Sequence, residues 1–470
     1  MLQVYRYLTY FLFPLLIIFI YFRSIFNKED KIRFKEKIFS SHFKALKNYD
    51  EKLIWFHAAS IGECLSILPL IDEINNTNQN IDFLITTVTL SSSKLLEKKL
   101  LWFHAASIGE CLSIIPLINE LSKKNKNLNF LITTVTLSSS KLLEKKINQH
   151  KNIVHRFFPL DLERLSENFL NGWKPDLVCF VDSEIWPNFL FKIKERNIPL
   201  LLLNARLTKK SFNKWKIIFN FAKKVFNNFD LCLAASEESK NNLKNLQVKN
   251  LKYIGNLKYS VKSSLDEFED SNKKNLNNFK TWCAVSTHEG EELTILKTHI
   301  QIKKKCSNVL TIIVPRHVGR SLYIKNLSKK FNLNTQILNE NNLISSNIEI
   351  LIINSFGVLP KYFNYCKNIF IGKSLIKRKQ NVGGQNPIEA AKLGCKIFHG
   401  PYVYNFHEVY NLLKSYGIAE EINNELELAR KLIKNFESSN MIDQKKIDLL
   451  NIYGEKILKE TTLEIETYLK

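Results

Sequence analysis

A chain of 470 residues that is 45% hydrophobic, with a mean hydropathy just below zero, belongs to a mostly soluble protein with room for two or three domains. Eight scattered cysteines, with no CxxC pair and no Cys/His cluster, argue against a disulfide framework or a zinc site and fit a reducing compartment. The net charge of +23 calls for an anionic partner, unless it reflects only a Lys/Asn/Ile-rich habit; the basic residues are dispersed and carry no nucleic-acid-binding motif, so a membrane surface or a phosphorylated substrate accounts for it equally well.

The chain opens on an apolar segment. No residue from Tyr7 to Phe22 is charged, and extended back past Arg6 the run approaches the ~20 residues that a spanning helix needs. Pro14 and the lack of a small-residue cleavage site predict a retained anchor over residues 1–24 rather than a cleaved leader. Arg23, Lys28, Lys31, Arg33, Lys35, Lys37, Lys44 and Lys47 follow, so the positive-inside rule places the body in the cytoplasm. A helix lying in the membrane interface is the competing arrangement.

A tandem duplication comes next, 53–99 and 100–146, matching at about four in five aligned positions. Trp55-Phe56-His57-Ala58-Ala59-Ser60-Ile61-Gly62-Glu63 returns 47 positions later as Trp102-Phe103-His104-Ala105-Ala106-Ser107-Ile108-Gly109-Glu110. Each copy reads as strand, Ser/Gly turn, acidic helix start and second strand, which sets a carboxylate just beyond a strand's carboxyl end. Taken alone, that Glu is a helix-start residue favoured by the helix dipole. The second copy runs directly into Ile153-Val154-His155-Arg156-Phe157 and is therefore expected in the main sheet, with the first as an added unit; the opposite assignment stays open. His57 and His104 read as packed side chains rather than catalytic ones.

Strand–helix alternation continues, which predicts a parallel, doubly wound α/β sheet. The strand Leu177–Val181 ends at Asp182-Ser183-Glu184-Ile185-Trp186-Pro187-Asn188, and Pro199–Leu203 ends at Asn204-Ala205-Arg206-Leu207. A basic helix is expected from Lys209 to Phe226, then a strand at Leu231–Ala234 and a helix from Ser236-Glu237. Gly255-Asn256-Leu257-Lys258-Tyr259 closes the first domain, 25–262. By themselves Lys258 and, later, Arg316 read as solvated charges, and Asp182 as a cap for the next helix.

A polar stretch marks the boundary, and a second α/β domain spans 263–425. Its strands begin at Thr281, Leu310, Ile350 and Ile369. They end at Ser286-Thr287-His288-Glu289-Gly290-Glu291-Glu292, Pro315-Arg316-His317, Asn354-Ser355-Phe356-Gly357 and Gly372-Lys373-Ser374. Gly383-Gly384-Gln385-Asn386-Pro387-Ile388-Glu389 reads as a glycine turn entering a helix with Pro in its first turn. Beyond Gly400-Pro401 the chain reads as helical and charged, with 426–470 as C-terminal helices.

Two doubly wound lobes with charged residues at their strand ends suggest a two-lobed glycosyltransferase. The order and spacing of the motifs resemble the Kdo transferases of Gram-negative bacteria over nearly the whole chain. That resemblance implies a GT-B-type enzyme of two Rossmann-like lobes with an N-terminal membrane helix. It would act on the cytoplasmic face of the inner membrane, carrying 3-deoxy-D-manno-octulosonic acid from CMP-Kdo to a lipid A precursor. No cofactor beyond the donor, no metal and no nucleic acid is implied.

By the same resemblance Glu110, or equally Glu63, is the general base on the acceptor hydroxyl. Glu184 and Lys258 are implied in transition-state stabilisation. Pro315 and Arg316 match a motif at the CMP phosphate, and Phe356, Gly357 and Val358 a segment near the nucleotide. Asn386, Pro387, Ile388 and Glu389 match one that holds phosphate and ribose. Gln385, Val358, Lys373 and Asp182 depart from the family pattern. The alternatives are another nucleotide-sugar transferase or epimerase of the same two-lobed class, and a membrane-bound lipid or nucleotide binder disabled by the duplication.

Overall fold

The computed structural model describes residues 1–26, 35, 38, 52–58, 81–87, 99–147, 150, 152–261, 272–339, 343–355, 359–378, 383–438 and 442–469. The chain forms two compact units, Met1–Lys258 with Ile457–Lys470, and Tyr259–Lys456.

In the first unit the two repeat copies part company. Strands β1 (Lys52–Ala58) and β2 (Ile81–Thr87), from the first copy, form a two-stranded parallel sheet of their own. The second copy supplies β3 (Lys99–His104) and β4 (Leu128–Thr134) to a seven-stranded parallel sheet. Its other strands are β5 (Ile153–Phe157), β6 (Leu177–Val181), β7 (Leu200–Ala205), β8 (Leu231–Ala234) and β9 (Leu251–Tyr253), in the order β5-β4-β3-β6-β7-β8-β9. Both pairs keep the same register, Lys52 opposite Ile81 and Lys99 opposite Leu128. What differs is the neighbour. β3 pairs with β6 and β4 with β5, because the second copy is the one joined directly to β5.

Every residue of β6 and β7 is buried, as expected of parallel strands covered on both faces. Trp102 anchors one face, its ring centroid 4.8 Å from Phe169, 5.5 Å from Phe180 and 5.6 Å from Phe189. The basic helix expected over Lys209–Phe226 is two helices, Lys209–Ile217 and Phe219–Phe226. Ile218 leaves helical geometry between them, and only the second piece buries a face, through Phe221, Ala222, Val225 and Phe226. The helix Leu2–Ile25 is long and apolar enough to cross a membrane by length and composition.

The second unit repeats the plan. Strands β10 (Lys280–Thr287), β11 (Val309–Pro315), β12 (Thr335–Leu338), β13 (Ile350–Ile353), β14 (Asn368–Ile371), β15 (Lys396–His399) and β16 (Ala419–Glu421) form a parallel sheet in the order β12-β13-β11-β10-β14-β15-β16. The edge strand β16 lies within the stretch expected to be helical. It is three residues long and its last two are charged, so it carries almost none of the apolar pattern that betrays a strand.

Each sheet has a point where the winding leaves its first strand in the opposite direction, between β3 and β6 in the first and between β10 and β14 in the second. A ligand crevice belongs outside the carboxyl ends at such a reversal. The charged motifs found in the sequence stand at these two points.

Candidate active site

Glu110 sits in the first turn of helix Ile108–Lys124, immediately after β3. Ser107 caps that helix, its hydroxyl oxygen accepting from the Glu110 amide at 3.4 Å, and donates to Glu110 Oε1 at 2.6 Å. The Ala106 amide donates to Oε2 at 2.8 Å. The spacing is that of a capping box, here closed on the residue before the cap. This carboxylate is nevertheless only 8% exposed. Burial, with the neighbouring charges of Asp182 and Glu184, outweighs the hydrogen bonds and pushes its pKa from 4.5 up to about 7. A helix-start residue needs no such shift; a general base working near neutral pH does.

Asp182 and Glu184 arrive from the far side of the reversal, in the turn after β6. Asp182 does not cap the following helix, whose cap position is Trp186. Its Oδ2 accepts from Lys258 Nζ at 2.8 Å and its Oδ1 from Asn204 Nδ2 at 3.0 Å. Asn204 in turn accepts from the Leu257 amide at 2.8 Å, which fastens the Gly-Asn-Leu-Lys turn to the end of β7. Lys258 is thus no free surface charge. Its side chain is 14% exposed and passes over the start of the Glu110 helix, where a Cβ on Gly109 would lie 3.8 Å from Lys258 Cε.

Glu184 is held by a different chain of donors. The Trp186 indole N–H donates to Oε2 at 2.8 Å, and His104 Nε2 lies 3.2 Å from the same oxygen. The other ring nitrogen, Nδ1, lies 3.0 Å from the Thr133 hydroxyl and 3.2 Å from the Thr133 carbonyl oxygen, so both edges of the imidazole are held. That hydroxyl accepts from the Trp102 indole at 2.8 Å. His104 is fully buried and stacks on Phe158 at 3.9 Å, so it is a packed side chain that also orients a site carboxylate. A cavity of about 160 Å³ opens beside this turn, lined by Asp182, Ser183, Ile185, Arg206, Leu207 and Trp215 among others.

In the second unit the reversal is built around Glu291, which is fully buried. Its carboxylate accepts from the amides of His288 at 3.0 Å, Lys373 at 2.7 Å, Ser374 at 2.9 Å and Leu375 at 3.0 Å, tying the turn after β10 to the turn after β14. Gly372 is required there. A Cβ would lie 2.6 Å from the Ser286 carbonyl oxygen and 2.9 Å from Glu291 Oε2. Ser286 and Lys373 take left-handed backbone angles (φ 54° and 59°), as Asp182 and Asn204 do in the first unit (φ 61° and 52°). Each such residue costs about 1 kcal/mol or more, and such strain gathers at functional turns.

The rim of this turn is cationic. Arg316 and His317 are exposed at the end of β11. The His317 ring lies 6.0 Å from that of His288, whose pKa is lowered by burial and by the positive charges of Arg378, Lys373 and His317. Asn386 is exposed and accepts from the Ile388 amide at 3.2 Å, while Pro387 and Ile388 are buried. Burial raises the Glu389 pKa above its ordinary value. Phe356, Gly357 and Val358, and Glu63 of the first copy, lie outside the described residues. Among the described residues no group of three or more His, Cys, Asp or Glu is placed to hold a metal ion.

The structure therefore brings Glu110, Glu184 and Lys258 into one cluster. It places Arg316 and the Asn386–Glu389 segment in the second unit. Asn204, His104 as an orienting group, and Glu291 were missed as site residues. Asn204 and Glu291 carried a signal, a polar side chain at the end of a buried strand and one at the start of the helix just beyond another, but the partners that join separate elements lie 22 to 84 positions away in sequence.

Comparison with known proteins adds an independent line. A family model described as 3-deoxy-D-manno-octulosonic-acid transferase (kdotransferase) matches residues 33–100 and again 96–261, once for each repeat copy. A 3-deoxy-D-manno-octulosonic acid transferase of Rickettsia bellii is 28% identical over 403 residues, 85% of this chain and 82% of the relative. The enzyme of that name from Haemophilus influenzae is 27% identical over 391 residues, 81% of this chain and 78% of the relative. A UDP-GlcNAc 2-epimerase from Neisseria meningitidis, solved with UDP-GlcNAc bound, superposes with a TM-score of 0.53 at 14% identity, covering 79% of this chain and 99% of that one. At that identity the likeness speaks for the two-lobed fold alone.

Proposed function

The chain belongs to the 3-deoxy-D-manno-octulosonic-acid transferase family, and from that premise we infer that it transfers Kdo from CMP-Kdo to a lipid A precursor in lipopolysaccharide biosynthesis. The observation that carries the chemistry is Glu110, a buried carboxylate whose pKa is pushed up to about 7 at the strand-order reversal. The acceptor hydroxyl passes its proton to Glu110 as its oxygen attacks the anomeric carbon of Kdo. The bond from that carbon to the CMP phosphate oxygen breaks, and CMP leaves with the electron pair. One displacement of this kind inverts the anomeric centre.

Glu184, oriented by His104 and Trp186, and Lys258, oriented by Asp182, supply fixed charges around the reacting atoms. Arg316 and its basic neighbours suit the CMP phosphate, since a guanidinium matches phosphate oxygens in pairs. Asn386 and Glu389 complete the donor contacts, with Pro387 and Ile388 packing beneath them. The N-terminal helix attaches the catalytic body to the cytoplasmic face of the inner membrane, and the basic surface draws it to an anionic lipid acceptor.

The test is transfer from CMP-Kdo, generated in situ, to a lipid A precursor by the full chain. Incorporation that is lost in Glu110→Ala is the expected result. Turnover of a UDP-sugar with CMP-Kdo left unused would replace this reading with another donor, and binding of CMP without turnover would make the chain a disabled binder.

A further inference from the structure

We propose that the N-terminal helix lies in the plane of the membrane surface as a foot fastened to the first unit, and does not cross the bilayer. This rests on the reading above that the helix attaches the enzyme to a membrane. The helix has two distinct long faces. Leu2, Tyr5, Arg6, Thr9, Phe13, Ile17 and Ile20, spaced three or four apart, are withdrawn from solvent, whereas Tyr7, Leu8, Phe11, Leu15, Ile18 and Phe22 are each more than half exposed.

The inner face is attached at both ends. Near the start, the Tyr5 hydroxyl donates to buried Asp161 Oδ2 at 2.6 Å, and Arg6 pairs with Glu163 at 3.0 Å. Leu2 and Phe13 pack against the main core of the first unit. Towards the far end, Ile17 and Ile20 pack with Leu160 and Ile38. At 1.5 Å per residue, Tyr5 and Ile20 are about 22 Å apart along the axis. A helix upright in a hydrocarbon core of ~30 Å would hold both attachments within the membrane.

Charge decides between the two arrangements. Arg6 lies in a cluster with Glu163, and Lys192 bridges Glu163, Glu167 and Glu195 at 3.1, 2.7 and 3.0 Å. Crossing the bilayer would either drag this cluster into hydrocarbon or tear Tyr5 and Arg6 from it, leaving Asp161 and Glu163 without those partners. Lying flat leaves every one of these bonds intact and presents a continuous apolar face to lipid. The residues that follow the helix in sequence, from Arg23 to Lys47, are rich in Lys and Arg, a composition suited to anionic lipid. The same attachment braces the catalytic turn. Asp161 also accepts from the amides of Asn188 at 3.2 Å and Phe189 at 3.0 Å, and the Asn188 side chain donates to the Asp161 carbonyl at 2.7 Å, at the start of the helix that follows Glu184.

Sidedness tests this. Gln3→Cys and, on the body, Lys249→Cys are made separately in the full chain, both at exposed positions. Inside-out vesicles of the inner membrane, cytoplasmic face outward, are treated with a membrane-impermeant maleimide before and after detergent, with the unsubstituted chain as background. Full labelling at both positions before detergent, with no gain afterwards, is expected. Labelling of Lys249→Cys before detergent but of Gln3→Cys only after it would overturn the in-plane foot and leave membrane attachment standing. Recovery of the chain in the supernatant, away from the vesicles, would overturn attachment itself.

Discussion

Replacing Glu110 by Gln should make the enzyme inactive and change how its stability depends on pH. In the folded protein the Glu110 pKa rises from 4.5 to about 7, a difference that corresponds to about 3 kcal/mol at ~1.36 kcal/mol per tenfold change in acidity. The sign follows from proton binding. Between pH 4.5 and 7 the folded state keeps the proton that the unfolded state has lost, so the folded state loses stability as pH rises through this window. Below the window the penalty is absent, and above it the penalty is complete. Gln carries no such penalty, although it accepts less strongly from Ser107 and Ala106, at a cost of about 1 kcal/mol.

Thermal unfolding of parent and Glu110→Gln from pH 4.5 to 8 should therefore show the variant gaining on the parent as pH rises, by about 3 kcal/mol across the window. Transfer by the parent should rise about tenfold per pH unit below pH 7 and level off above it, and Gln should lower the plateau by roughly 10²- to 10⁴-fold. A stability difference that stays flat with pH, or a Gln variant within a few-fold of the parent, would refute the assignment of Glu110 as a buried base.

Asp182→Asn removes a charge that helps raise the Glu110 pKa, so the acid limb of the transfer profile should move to lower pH; a limb that stays put or moves upward counts against the cluster. Deleting residues 53–99 should leave transfer intact, because β4, Glu110 and all of β3 but Lys99 come from the second copy, and Lys52 then stands where Lys99 did. Loss of transfer on that deletion, together with an inactive Glu63→Ala and an active Glu110→Ala, would hand the site to the first copy. Gly372→Ala forces a methyl against the Ser286 carbonyl and Glu291 and should lower stability by about 1–3 kcal/mol. It should also weaken CMP binding measured by titration calorimetry, and an unchanged Tm would contradict the close approach. Arg316→Ala should raise KM for CMP-Kdo far more than it lowers kcat, in steady-state kinetics at fixed acceptor; the reverse split would place Arg316 away from the donor phosphate.

Much of this protein is written in local sequence. Buried runs such as Leu177–Val181 and Leu200–Leu203 specify parallel strands, because they must be apolar on both faces. Ser107 and Glu110 mark a helix start through hydrogen bonds that span only three residues. The motif order along the chain was enough to name the family. Short charged edges such as β16 and the break at Ile218 were not legible, since their apolar pattern is too brief to show a period.

Other features belong to the tertiary structure alone. The two repeat copies have nearly the same local sequence and the same strand register, so nothing within them says which enters the main sheet; the pairings of β4 with β5 and of β3 with β6 decide it. The bond from Lys258 to Asp182 joins residues 76 positions apart, and the tie from Glu291 to Leu375 spans 84. The character of Glu110 is of the same kind. Its pKa sums desolvation and charge over neighbours brought from β6 and its turn, quantities that exist only once the chain has closed around it.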